Sequence, residues 1–257
     1  RILFRPSFAV QARELTQMQT ILQNQIKRHG DHIFKQGAMV IPGQASIDCD
    51  MPYVKIQSLY AGAVVATYID NLQGLVIKGE SGLTAQVMKV VQASGSDFAT
   101  LYLKYTNSGD DNTTKVFADD EIIAPEDTLL SAYTVQAVSA DSTGIGSIAS
   151  IERGVYYVNG HFVLCDSQTI VLDKYSNTPT YRIGLDVSEK LITPEDTGYE
   201  MLLDNAQNSY NFAAPGAHRY YIDLTFTKLA IDSVADEDFV ELLRVEGGQI
   251  KRHVNKT

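Results

Sequence analysis

The residues with chemical capacity are spread along the 257 residues of this chain, and none falls into the spacing of a catalytic centre. Gly144-Ile145-Gly146 resembles part of a phosphate loop, but lacks the third glycine and the following helix that would aim backbone N–H groups at an anion. It reads as a flexible turn. No GxSxG elbow, HExxH pair or P-loop occurs. Among the five histidines, His29 and His32 stand three apart, a spacing that sets two imidazoles on one helical face. His161 follows a turn and His218 precedes a strand, so both read as surface or hydrogen-bonding groups. The acidic runs Asp110-Asp111-Asn112, Asp119-Asp120-Glu121 and Asp236-Glu237-Asp238 carry the oxygen ligands of calcium sites and the paired carboxylates of glycosidases. They lack EF-hand spacing, and each reads as a solvated turn. No catalytic residue, metal ligand or cofactor is assigned.

Fourteen tyrosines and no tryptophan leave aromatic contact as a further capacity, for interfaces or for stacking on sugars. Tyr156-Tyr157 and Tyr220-Tyr221 are adjacent pairs, so period-two alternation sends one ring of each pair off the core face. Those outward rings are candidates for burial between protomers. Cys49 and Cys165 are far apart and show neither CxxC nor Cys/His spacing, which reads as two plain thiols.

The elements that hold these residues divide the chain unevenly. After Pro6 and a candidate N-cap at Ser7, apolar side chains recur at Phe8, Ala12, Leu15, Met18, Leu22 and Ile26 with spacings of three and four, which predicts a helix over 8–29. Gly30 stands where a left-handed C-terminal cap belongs, behind Lys27, Arg28 and His29. Phe8, Leu15, Leu22 and His29 are also separated by sevens, the pattern of a short dimeric or trimeric coiled coil with Gln19 in its seam. An amphipathic helix laid on a sheet fits the same residues and is the simpler reading.

Beyond Gly30 the period changes to two. Leu101, Leu103 and Tyr105 form one alternating series, Tyr181, Ile183, Leu185 and Val187 a second, and Tyr220, Ile222, Leu224 and Phe226 a third. Each predicts a half-buried antiparallel strand. Asn159-Gly160 between two apolar runs predicts a two-residue hairpin turn. Residues 61–71 fit one or two helical turns, and residues 236–245 fit a short helix or an edge strand. Short strands with Gly- and Ser-rich turns over 53–130 suggest a small β module inserted in a larger β domain, which residues 36–52 and 131–257 would form together. The expected fold is therefore mainly β: a helical segment over 1–35, then antiparallel sandwich or barrel domains, one inserted in the other.

Charge and composition narrow the function classes. At 44% hydrophobic the chain is of globular type, and its net charge of −10 opposes binding to a phosphate backbone. Residues 1–35 carry six basic side chains against two acidic ones, a net +4, which leaves −14 for the remainder. The first segment is thus electrically distinct, as a docking element on an acidic assembly would be. No stretch has the length and apolarity of a membrane helix, so no membrane insertion is expected and the chain reads as soluble. It opens on Arg1 and not on Met, which reads as a piece of a longer polypeptide.

Ala9-Val10-Gln11-Ala12-Arg13-Glu14-Leu15-Thr16-Gln17-Met18-Gln19-Thr20-Ile21-Leu22-Gln23 resembles the N-terminal helix of a family of large virion proteins of contractile-tailed bacteriophages, including cyanophages. Members are described as baseplate or tail-fibre proteins or as a domain of unknown function. Gly154-Val155-Tyr156-Tyr157-Val158-Asn159-Gly160 resembles a later stretch of the same family. So does the run from Leu202-Leu203-Asp204-Asn205-Ala206-Gln207 through Ala214-Pro215-Gly216-Ala217-His218-Arg219-Tyr220. The resemblance covers most of the chain. It implies a virion structural protein, located in the tail or baseplate and assembled in the host cytoplasm. A homotrimer contacting other tail proteins and attaching a fibre or baseplate wedge is the implied assembly, with no catalysis. Within it, Phe8, Leu15, Met18, Leu22 and Ile26 are the expected docking or oligomer residues. A host-surface glycan-binding, receptor-recognising module is the main rival, and a tailspike depolymerase the second.

Overall fold

A computed structural model describes residues 1–193, 196, 217–233 and 238–253. Helix α1 spans Ala12–Ile33. It starts four residues later than the Ser7 cap predicts, because Ser7 takes a left-handed φ of 65° and the first turn is closed at Gln11, whose N–H donates to the Glu14 carboxylate at 2.8 Å. Phe8 therefore precedes the helix. The helix also runs through Gly30 instead of stopping there, and the Phe34 N–H reaches back to the Gly30 carbonyl at 2.7 Å.

The chain then enters β1 (Ala38–Ile41) and the long β2 (Ala45–Ile56), followed by a small ribbon of β3 (Leu59–Tyr60) and β4 (Ala63–Val64). Two 3₁₀ turns, Val65–Thr67 and Ile69–Leu72, follow where the sequence allows one or two helical turns. Next come β5 (Val76–Gly79), β6 (Thr84–Val91), β7 (Ala99–Tyr105) and β8 (Ile122–Pro125). A third 3₁₀ turn, Thr128–Tyr133, precedes β9 (Val135–Gln136), β10 (Thr143–Ile151), β11 (Gly154–Val158), β12 (His161–Cys165) and β13 (Gln168–Asp173). The described chain closes with β14 (Tyr181–Ile192), β15 (Arg219–Ala230), β16 (Phe239–Glu246) and β17 (Gln249–His253).

The protein is mainly β, with one N-terminal helix and antiparallel sheets, one of them curled into a half-barrel. The large sheet has the order β13-β10-β2-β7-β6-β5-β8-β9, a second runs β15-β14-β16-β17, and a third is β1-β11-β12. One hydrophobic core gathers Val54, Ile56, Leu72, Ile77, Leu101 and Ile123 with neighbours from residues 54–137. Another joins Ala149, Tyr156, Ile183, Leu185, Phe226 and Leu243 across all three of these sheets. Between them Met51, Tyr53, Tyr102 and Ile148 form a small bridge cluster. Strand β2 crosses from one core to the other, so position 53 lies inside a continuous strand.

Three strand expectations need correction in detail. Residues 99–103 are all buried, not half-buried, because β7 is an interior strand whose second face meets the bridge cluster through Tyr102. Gly144 and Gly146 lie in β10 and not in a turn. A Cβ on Gly144 would sit 2.5 Å from the Tyr53 hydroxyl, and one on Gly146 would sit 2.5 Å from the Lys174 carbonyl, so these glycines admit close neighbours. Residues 239–246 form a strand paired on both sides, by β14 and by β17, and not a helix or an edge.

Candidate docking surface

The Asn159-Gly160 turn forms as the sequence predicts, with φ of 50° and 85°, and it projects the β11–β12 hairpin toward the C-terminal half of α1. There the helix is clamped. Gln23 Nε2 donates to the Gly160 carbonyl at 2.9 Å and lies 3.0 Å from His161 Nδ1. The Lys27 stem passes so close that a Cβ on Gly160 would meet it at 2.5 Å. Gln36 and Asn159 exchange two hydrogen bonds, at 2.7 and 3.0 Å, just beyond the helix.

Tyr157 is the centre of the clamp. Its ring lies against Gly30, where a Cβ would come within 2.5 Å, so the glycine serves as a groove for the ring and not as a helix stop. The Tyr157 hydroxyl donates to Asp31 Oδ1 at 2.7 Å and lies 3.0 Å from the Lys27 carbonyl oxygen. Burial, and then the Asp31 carboxylate, push its pKa up to about 12. Phe34 extends the aromatic contact, with its ring 5.6 Å from both Tyr157 and Phe162. The expectation that one ring of each tyrosine pair leaves the core fails in both directions. Tyr156 and Tyr157 are both buried, since α1 covers the second face, while Tyr220 and Tyr221 are both exposed.

Charged groups complete the junction. Glu189 accepts hydrogen bonds from the Tyr220 hydroxyl and from Asn159 Nδ2, each at 2.6 Å, and these hold its carboxyl below the usual range. His161 packs on Tyr220 with ring centroids 5.5 Å apart. Desolvation lowers the His161 pKa, Lys27 adds to the fall, and Glu189 opposes it.

The expected docking residues lie elsewhere on the helix. Leu15, Met18, Leu22 and Ile26 are 46, 37, 58 and 47% exposed, and Ile33 continues their row. At about 100° per residue the row sits roughly a quarter turn or more from the side formed by Gln23, Lys27, Gly30 and Phe34. The simpler reading of a stripe packed on a sheet is thus overturned. Phe8, also exposed, lies under the Arg5 guanidinium at 4.2 Å and stands apart from the helical row. Ahead of Gln23 no helix side chain shows a hydrogen bond to the body among the described residues.

The other chemical candidates resolve into local structure. Asp111 accepts from the N–H and hydroxyl groups of Thr113 and Thr114, which drive its carboxyl far below the usual range and close a turn. Glu121 is not solvated as its acidic run suggests. It is buried and accepts from the Ser81 N–H and hydroxyl and from the Ala118 N–H, pinning two loops. Asp236 and Glu237 lie outside the described residues, as do residues 202–216 of the later family-like run. His29 and His32 are both exposed, and no group of three or more potential metal ligands occurs among the described residues. A surface depression of about 320 Å³, lined by Leu75, Val76, Pro125, Glu126, Asp127 and Leu130, offers two carboxylates, one of which caps the Thr128–Tyr133 turn through the Leu129 N–H. Both thiols are unpaired with each other, Cys165 buried and Cys49 half-buried. No described helix is long and apolar enough to cross a membrane.

Fold and surface together define a mainly β body that carries one clamped helix with an open apolar row. No family model matches the chain, and no curated protein or solved structure matches it either.

Proposed function

We propose that this chain is a structural component of a phage tail, joining a tail fibre or baseplate wedge to the virion as a homotrimer, with α1 as the docking element and no catalytic role. The observation that carries this reading is the division of labour around α1. One side is fastened to the body by Tyr157, Gln23 and Phe34, while the Leu15, Leu22 and Ile26 row is presented outward. A contiguous apolar row left in water is a surface for a partner. The family resemblance supplies the setting. Two of the stretches that bear it, residues 9–23 and 154–160, meet at the Gln23 to Gly160 hydrogen bond, so they form one structural unit. Location in the tail or baseplate, after assembly in the host cytoplasm, follows from the same reading.

The test is an electron-microscopy map of intact tails of the parent particle, with mass spectrometry of the same preparation. The expected result is this body, three copies about a common axis, at a fibre or baseplate joint. Its absence from purified tails would overturn the assignment. A second reading, host-glycan binding, draws on the exposed Tyr220 and Tyr221 rings. Reproducible saccharide binding on a glycan array, lost in Tyr221→Ala, would favour it. The strand pairings among the described residues are antiparallel, whereas a tailspike depolymerase needs a parallel β-helix.

A further inference from the structure

Asn159-Gly160 shapes the clamp, and the same dipeptide carries a chemistry of its own. An asparagine carboxamide is open to attack by the backbone nitrogen of the next residue, and glycine, without a Cβ, hinders that approach least. Of the ten asparagines in the chain, Asn159 alone is followed by glycine. The fold requires both residues. A two-residue turn of this type needs positive φ at each position, and φ is 50° at Asn159 and 85° at Gly160. The Lys27 stem excludes a Cβ at Gly160, since one would meet it at 2.5 Å. Packing of α1 on the hairpin thus fixes the reactive pair in place.

The surroundings of Asn159 hold the reaction in check. Its Oδ1 accepts from Gln36 Nε2 at 2.7 Å and its Nδ2 donates to Glu189 at 2.6 Å, so both ends of the carboxamide are engaged. Gln36 also accepts from the Asn159 N–H at 3.0 Å. Attack requires the carboxamide to rotate its face toward the Gly160 nitrogen, and rotation gives up these bonds. The Gly160 N–H itself meets no acceptor among the described residues. Once the carboxamide is free, the Gly160 nitrogen bonds to the Asn159 Cγ and ammonia leaves, carrying the Gly160 proton by way of solvent. The five-membered succinimide so formed is opened by water at either carbonyl, to aspartate or to isoaspartate.

Neither product rebuilds the contact. Aspartate sets a carboxylate where Nδ2 now meets Glu189, which already accepts from the Tyr220 hydroxyl at 2.6 Å, and two carboxylates so close repel. Lys27, which faces Glu189 from α1, is shared with Asp31 at 3.8 Å. Isoaspartate brings the same added charge and one more backbone carbon, in a turn whose length sets the strand register.

We propose that Asn159-Gly160 is a self-modification site, where deamidation releases α1 from the β11–β12 hairpin and makes the clamp a latch that opens once. The proposal goes beyond the tail assignment and does not depend on it. The full chain is incubated at mildly alkaline pH and followed by peptide mass spectrometry. Asn159 is expected to convert to aspartate and isoaspartate, and to do so about tenfold faster in Gln36→Ala, which removes two of the three hydrogen bonds. Equal rates in the two chains, or an Asn159 that stays intact in both, overturn the proposal. Asn159→Asp supplies one product directly, and an Asp-Gly pair suits the turn, so the variant folds. Its backbone amides over residues 23–34 are expected to exchange about tenfold faster than in the parent. Exchange at the parent rate overturns the release. Adding Glu189→Gln removes one of the two facing charges and is expected to restore most of the protection, and no recovery would count against the repulsion.

Discussion

Strand β7 and helix α1 both carry a row of apolar side chains, and the two rows meet opposite fates. β7 buries five consecutive residues, Ala99 to Leu103, between one core and the bridge cluster. In α1, 22 residues long, the one buried residue is a glycine. Burial of a large apolar side chain is worth about 1.5–3 kcal/mol. That gain is already realised at β7, whereas on α1 it is withheld until something else covers the row. The contrast separates residues that make the fold from residues whose apolar surface stays open.

The largest effect is expected where the two segments differ most. Tyr102→Ala empties a site on β7 and removes the hydroxyl that donates to the Lys174 carbonyl, and it should cost about 3–5 kcal/mol in denaturant unfolding. Leu22→Ala, measured at a dilution where the chain is monomeric, should stay within about 0.5 kcal/mol of the parent. Comparable losses would erase the distinction. Next in size is Gly30→Ala. In an exposed helix this exchange stabilises by about 1 kcal/mol, but here the new methyl strikes the Tyr157 ring. The expected sign is therefore reversed, a loss of about 1–3 kcal/mol, read as faster hydrogen exchange over residues 23–34. Stabilisation would show that Tyr157 does not occupy the Gly30 groove.

Tyr157→Phe keeps the ring and removes the hydroxyl from Asp31 and Lys27, for an expected loss of about 1 kcal/mol in the same exchange experiment. The smallest effect concerns pH. Because the folded state holds the His161 pKa below its ordinary 6.5, its contribution is complete above that value and declines as the pH falls beneath it. Protection of the α1 clamp should therefore weaken on mild acidification and become flatter with pH in His161→Gln. An unchanged profile in that variant would remove His161 from the clamp.

Much of this arrangement was legible in the chain itself. The alternation of Tyr181, Ile183, Leu185 and Val187 marks β14, and Asn159-Gly160 marks the hairpin, because both signals are local: a period of two and a pair of residues that tolerate positive φ. The apolar row of α1 was equally visible in its spacing, and Leu15, Met18, Leu22 and Ile26 stand on one open face. What covers a face is not local. Gly30 reads as a helix stop until Tyr157, distant in sequence, is brought against it, and Tyr156-Tyr157 reads as a half-exposed pair until α1 closes the second side. Ser7 was a stronger capping residue by type than Gln11, yet Gln11 has Glu14 three residues on, and the reciprocal contact prevails. Glu121 is similar, an acid in a polar run whose burial depends on Ser81 from another turn.

The central claim, that α1 is an unsatisfied assembly surface on a finished body, is tested most directly by light scattering of the full chain beside a Leu15→Asp, Leu22→Asp variant. The expected result is three times the chain mass for the parent and a folded monomer for the variant. A parent that is strictly monomeric, or a variant that assembles unchanged, would contradict it.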